Sequence, residues 1–238
     1  MQNRRGLFAG MQSGRLSGFV PYKGTKDLPN AGRISRFIRN FVDMKVALCQ
    51  FSMEWEAAAR NLRRAEELVA QAGADLALLP EMFATGFITE PWRTALPDEE
   101  ELLAWMRRTA RGYATALAGS AVVRSGDRFA NRFFFVRPAG GAERYDKRHL
   151  FSIGGEDAHF VAGRRRVVVE YGGLRFLPLV CYDLRFPVWC RCRSDYDAIL
   201  CVASWPAPRR EVWRTLLRAR AIENQCYVCL LYTFDAAD

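Results

Sequence analysis

Apolar positions in this chain gather in short runs separated by amphipathic stretches, and the order of the two predicts the elements. Residues 45–51 (Lys-Val-Ala-Leu-Cys-Gln-Phe) have the length and composition of a strand. Over residues 54–72 the apolar positions Ala58, Leu62, Ala65, Leu68 and Val69 recur at three- and four-residue spacing, which predicts a helix ended by Gly73. Residues 76–79 form a second strand, closed by Pro80-Glu81. Strand, helix and strand in such quick succession make a βαβ unit, so the start of the fold is expected to pair in parallel. Further on, the pattern predicts a helix at 97–112 with an acidic first turn and strands at 113–123, 132–136 and 142–145. A long irregular loop follows from 146 to about 165. A hairpin is expected around Gly172-Gly173, joining a strand at 166–171 to one at 174–180. Beyond it lie a strand at 196–203, a helix at 209–225 and a strand at 226–232. Parallel units and hairpins in one chain, with no internal repeat, predict an α/β fold with mixed sheets.

Composition narrows the class. Half of the 238 residues are hydrophobic and 13% are aromatic, enough for a sizeable core. No apolar run is long enough to span a bilayer, so no membrane association is expected. Seven cysteines, an odd number without a regular framework, fit reduced thiols and a cytoplasmic setting better than disulfides. Cys226 and Cys229 have CxxC spacing once, inside a strand-like run, and are read as structural rather than zinc-binding or redox-active. Two histidines, His149 and His159, are too few for a histidine-rich metal centre. The net charge is +9, but residues 1–43 carry eight Arg or Lys against two Asp, which leaves only +3 for the remainder. A nucleic-acid partner is therefore not expected. Residues 1–43 are glycine-rich and lack periodicity. They are expected to be a basic extension, disordered or non-native, ahead of a globular part that begins at Met44.

Three polar residues stand where strands end or chains turn: Glu81 in Leu-Pro-Glu, Lys147 in Tyr-Asp-Lys-Arg-His-Leu-Phe, and Cys181 in Val-Cys-Tyr-Asp-Leu-Arg-Phe-Pro. A thiol at a strand-to-helix turn lies near backbone N–H groups that favour a thiolate. Taken singly, each residue also has a plain structural reading: a solvated carboxylate, a solvated ammonium, a buried core thiol. Together, the three stretches and their order resemble the nitrilase superfamily of carbon–nitrogen hydrolases. The late helix, with Arg218-Ala219-Arg220-Ala221-Ile222-Glu223-Asn224-Gln225, is similar as well. Glu81-Met82-Phe83 and the Trp205-to-Arg209 stretch look closest to the bacterial omega-amidase branch.

The resemblance implies an α-β-β-α sandwich that pairs as a homodimer, acts on a small-molecule amide and needs neither cofactor nor metal. It also implies catalytic roles for Glu81, Lys147 and Cys181: proton carrier, oxyanion stabiliser and nucleophile. Tyr182 would add a backbone N–H at the oxyanion. Arg185, Arg209, Trp205 and Phe87 are candidates for substrate contact, with ion pairing or core packing as the alternative for each. The expected activity is ammonia release from ω-amides of 2-oxo acids such as 2-oxoglutaramate. A nitrilase, an N-carbamoyl hydrolase or a non-catalytic relative remain open on the sequence. Three features depart from the family pattern. Ala121-Val122-Val123 follows Gly119-Ser120, where many members place an auxiliary carboxylate; Ser204 stands where Asn is frequent; and the ending is unlike the family's. The hydrolase domain is accordingly expected at 44–229, C-terminally incomplete, with an atypical tail at 230–238.

Overall fold

The computed structural model describes residues 44–93, 98–205 and 207–233. Expectations for residues 1–43, for Pro97 and for the tail beyond Thr233 lie outside the described residues. Two mixed sheets form the centre. The first contains β1 (Val46–Leu48), β2 (Leu76–Leu78), β3 (Ala116–Ser125), β4 (Arg128–Val136) and β5 (Ala142–Asp146), in that spatial order. Its first three strands are parallel, as the βαβ start predicts, and its last three form antiparallel hairpins. The second sheet orders β6 (Val169–Tyr171), β7 (Leu174–Val180), β8 (Ala198–Ser204) and β9 (Tyr227–Thr233). There β6 and β7 are the expected hairpin, while β7, β8 and β9 run parallel.

The strand β4 shows why the layers stack. Phe133 and Phe135 point into the core shared with Phe176, Leu177 and Leu179 of the second sheet. Ala130, Phe134 and Val136 point the other way, against α1 (Ala58–Ala72) and α2 (Glu99–Gly112). This period-two alternation gives one strand two buried faces. On the far side of the second sheet, Trp213 and Leu217 of α5 (Arg210–Asn224) close the core. The order is helix, sheet, sheet, helix, the α-β-β-α sandwich. Each fully buried Phe or Leu in it contributes about 1.5–3 kcal/mol.

Several boundaries differ from the periodicity. The helix expected from Glu54 begins at Ala58, because the Asn61 side chain binds the Glu54 backbone at both its N–H (2.8 Å) and its carbonyl (2.7 Å) and holds that stretch as a turn. Gly73 ends α1 with φ of +51°, as expected. At α2, Asp98 is the N-cap rather than a helical residue, accepting the Glu100 N–H at 2.9 Å. Residues 113–115 join α2 to β3 instead of starting the strand, with Ala114 at φ +50°. The β3–β4 hairpin is longer than expected and turns on Gly126-Asp127, with Ser125 paired to Arg128. The stretch 146–165 is not wholly irregular: a 3-10 turn (Ser152–Gly154) leads into α3 (Glu156–His159). It is pinned to the first sheet by the Val161 N–H to the Phe129 carbonyl at 2.7 Å. Another 3-10 turn, Cys181–Arg185, and α4 (Pro187–Cys190) follow β7. All seven cysteines are free thiols, with Cys229 buried in β9 and Cys226 just before it. Among the described residues, no helix is long and apolar enough to cross a membrane, and no group of three His, Cys, Asp or Glu side chains is arranged to hold a metal ion.

Candidate active site

Glu81 is placed by the end of β2 and by β3. Gly119 lets the two strands approach closely: a Cβ there would lie 2.8 Å from Leu79 Cβ and 3.0 Å from Phe83 Cδ1. Ser120 then holds the turn, its hydroxyl accepting the Met82 N–H at 3.1 Å and its carbonyl the Phe83 N–H at 3.0 Å. Met82 sits at φ +50°, a conformation that a non-glycine residue adopts only when its surroundings impose it. Cys181 is the other such residue in the site, at φ +47°, on the first position after β7. Both turns aim side chains where a relaxed strand end would not.

Asp183 fixes the Cys181 turn to the Lys147 segment. Fully buried, it accepts the Val180 N–H (3.1 Å), the Tyr145 hydroxyl (2.8 Å) and the His149 N–H (2.9 Å), and meets the His149 ring nitrogen at 2.8 Å. Burial and the adjacent carboxylate push the Tyr145 hydroxyl well above its ordinary pKa, so it remains a donor. The His149 ring in turn stacks on Phe186, with centroids 3.6 Å apart. The motif residues on either side of Lys147 and Cys181 thus clamp the two loops together.

The structure brings Glu81, Lys147 and Cys181 into one cluster. Lys147 Nζ donates to Glu81 Oε1 at 3.1 Å. Glu81 Oε2 accepts the Ser204 N–H at 2.7 Å, and the Ser204 carbonyl accepts the Cys181 thiol at 3.6 Å. The backbone of one residue at the end of β8 therefore brackets the carboxylate and the sulfur. Ser204 contributes through its backbone, so the departure from Asn does not remove this contact. Glu81 and Lys147 are fully buried, and Cys181 retains 7% exposure.

Sequence reasoning missed two members. Glu156, from the start of α3, takes Lys147 Nζ on both oxygens (3.0 and 2.8 Å) and the Phe151 N–H at 2.7 Å. Glu156 is thus a second buried carboxylate against Lys147, from within the stretch expected to be an irregular loop. Asn131 of β4 donates its amide to Glu81 Oε1 at 2.9 Å and to Glu156 Oε1 at 3.3 Å. A signal for Asn131 existed: it is a polar residue on the inward face of β4, two positions from Phe129 and Phe133.

The electrostatics correct the thiolate expectation. Burial raises the Cys181 pKa well above 9.0, and the Glu81 charge adds to the rise; Lys147 opposes it without prevailing. The resting sulfur is a thiol. Burial also raises Glu81 above its ordinary 4.5, while Lys147 and the Ser204 N–H pull it down and Glu156 pushes it up. For Lys147, burial lowers the pKa, but Glu156 and Glu81 outweigh it and the ammonium is held above its ordinary range.

The remaining sequence candidates surround the cluster. Tyr182 is half-buried, with its ring 5.3 Å from that of Phe151. The Arg185 guanidinium lies over Tyr182 and Trp205, and that of Arg209 over Phe151. Trp205 is buried against Trp213, with centroids 4.5 Å apart, so core packing holds for one side of it. Phe87 packs with Met82, Ile88 and Phe160 in a small cluster under the loop.

A two-sheet sandwich with a buried carboxylate, ammonium and thiol meeting beside its β2, β7 and β8 strand ends defines a hydrolase of the nitrilase superfamily. Comparison with known proteins agrees: the family model for carbon–nitrogen hydrolases matches residues 45–236, and the chain belongs to that family. Its reaction class is hydrolysis of carbon–nitrogen bonds of the amide type. It is 48% identical to the omega-amidase YafV of Yersinia enterocolitica, over 78% of this chain and 72% of that one. It is 32% identical to a 2-oxoglutaramate amidase of Bacillus subtilis, over 77% of this chain and 73% of the relative. Among solved structures, a CN-hydrolase superfamily protein from Xanthomonas campestris with an arsenic adduct in its active site superposes with a TM-score of 0.76. It is 40% identical, over 79% of this chain and 75% of that one.

Proposed function

We propose that the protein is an omega-amidase that releases ammonia from the ω-amide of a 2-oxo acid such as 2-oxoglutaramate, through a thioester on Cys181. The observation that carries the mechanism is the Ser204 backbone, which holds Glu81 by its N–H and the Cys181 thiol by its carbonyl. Because the sulfur rests as a thiol, attack requires a base, and Glu81 is the group beside it. Glu81 takes the thiol proton as sulfur bonds to the amide carbon. The carbonyl oxygen becomes an oxyanion beside the fixed charge of Lys147, with the Tyr182 N–H as second donor. Glu81 passes the proton to the departing nitrogen, and ammonia leaves a thioester. Water then attacks with Glu81 again as base, releasing the acid and restoring the thiol. Glu156 and Asn131 act through Lys147 and Glu81: they fix the ammonium and hold the carboxylate oxygens in place. The names of the relatives support the substrate class.

The test is ammonia release from 2-oxoglutaramate, set against a nitrile and an N-carbamoyl amino acid of similar size. The reading predicts turnover of the amide far above the other two. Preferential turnover of the nitrile or the carbamoyl compound would replace it with one of those activities.

A further inference from the structure

The acceptor oxygens around the reacting groups are almost all taken. Glu81 Oε1 accepts from Lys147 Nζ at 3.1 Å and from the Asn131 amide at 2.9 Å, and Oε2 accepts the Ser204 N–H at 2.7 Å. Glu156 Oε1 accepts from Lys147 Nζ at 3.0 Å and from the Asn131 amide at 3.3 Å. Its Oε2 accepts from Lys147 Nζ at 2.8 Å and from the Phe151 N–H at 2.7 Å. The Ser204 carbonyl accepts the Cys181 thiol. Asn131 Oδ1 is the exception: Asn131 is fully buried, and its oxygen has no hydrogen-bond donor among the described residues.

The neighbours of this amide fix its orientation. Nδ2 faces one oxygen of each carboxylate, and turning the group over would set an oxygen against two others and forfeit both bonds. Oδ1 shares the plane of Nδ2, so it is held within the same buried cluster, beside Glu81. A buried acceptor left without a donor is costly, and such a group in a site calls for a partner. The proposed chemistry brings one. The substrate's carbonyl oxygen goes to Lys147, and its nitrogen lies by Glu81, which hands it a proton. An unsubstituted amide nitrogen carries two N–H donors into a cluster whose other acceptors are already engaged.

We infer that Asn131 Oδ1 accepts an N–H of the substrate's amide nitrogen, so that Asn131 touches the leaving group as well as the two carboxylates. The protein then selects unsubstituted carboxamides. A methyl group in place of that hydrogen would lose the bond and press on a fully buried side chain. This rests on the amidase function proposed above and names the residue that reads its leaving group.

The experiment measures kcat/KM for succinamate and N-methylsuccinamate, the same four-carbon acid with an unsubstituted and a methylated amide nitrogen. It uses the wild type, Asn131→Ala and Asn131→Asp. Both amides need the same proton from Glu81, so their ratio does not follow the acid strength of that group. Each ratio is taken on one preparation, so partial unfolding of a variant does not change it. The wild type should strongly favour succinamate. In Asn131→Ala the ratio should fall roughly five- to a hundredfold, the range for leaving a buried donor without its acceptor. Asn131→Asp should slow both substrates, because it sets a third carboxylate against Glu81 and Glu156, yet keep the wild-type ratio, because an acceptor oxygen stays in place. An unchanged ratio in Asn131→Ala overturns the inference while the amidase function stands, since a residue that only positions the carboxylates, or only holds a water, gives that result. An equal fall in Asn131→Asp also overturns it, because the lost donor and not the acceptor would then be responsible. A wild type that hydrolyses neither amide would instead refute the amidase function itself.

Discussion

In the proposed mechanism, the thiol of Cys181 and the carboxylate of Glu81 are each poor at their task until they are paired. Buried sulfur holds its proton, and buried Glu81 holds one more tightly than an exposed carboxylate, which makes it a better base once ionised. The sign of the pH dependence follows. In its proposed role Glu81 acts ionised; burial raises its pKa above the ordinary 4.5, so the ionised fraction falls as pH drops through that raised value. The acid limb of kcat/KM is therefore expected to have its inflection above pH 4.5, read from a pH–rate profile; an inflection at or below the ordinary carboxylate value would contradict the assignment. Besides its proposed place at the oxyanion, Lys147 balances buried charge. Nothing else among the described residues brings a formal positive charge into contact with Glu81 and Glu156, both fully buried. Lys147→Met should abolish turnover and also cost about 3–5 kcal/mol of stability, the range for stranding buried charge. Adding Glu156→Gln should return part of the melting temperature without activity. If Lys147→Met melts like the wild type, the ion cluster is not holding the site together.

At the level of elements, the site depends on two close approaches that only glycine permits. One is Gly119 against Leu79. The other is Gly163, where a Cβ would lie 2.0 Å from the Asp146 carbonyl oxygen while the Gly163 N–H binds the Lys147 carbonyl at 2.8 Å. Gly163→Ala must push the segment carrying Lys147, so a loss of about 1–3 kcal/mol, or more, is expected together with reduced kcat. Thermal melting and steady-state kinetics on that variant check both; wild-type values would mean the segment yields freely. These elements also show what the sequence could and could not convey. β1, α1 and β2 were legible because their apolar spacing is undisturbed, and Glu81, Lys147 and Cys181 because each lies in a distinctive run of neighbours. Glu156 was not, since the four-residue α3 that presents it is too short for any periodicity and is held by Phe151 and Lys147 instead. The thiolate expectation failed for a related reason: a turn and its N–H groups are visible in sequence, but the burial that outweighs them is set by residues from both sheets.

Across the whole molecule, the sandwich explains why three residues spread over a hundred positions can meet. β2, β7 and β8 end beside one another, so Glu81, Cys181 and Ser204 converge where two sheets face each other, and the loop after β5 brings Lys147 to the same place. The core between the sheets excludes water around the carboxylates and the ammonium, which makes their fields act at short range with little screening. What this architecture is proposed to achieve is one covalent event, a thioester on Cys181, and that is open to direct observation. Intact and peptide mass spectrometry after rapid acid quench of the protein turning over 2-oxoglutaramate should show a mass gain equal to the substrate less ammonia, located on the peptide bearing Cys181. Cys181→Ala should show neither adduct nor ammonia release while melting cooperatively. Turnover in Cys181→Ala, or an adduct on another residue, would contradict the account.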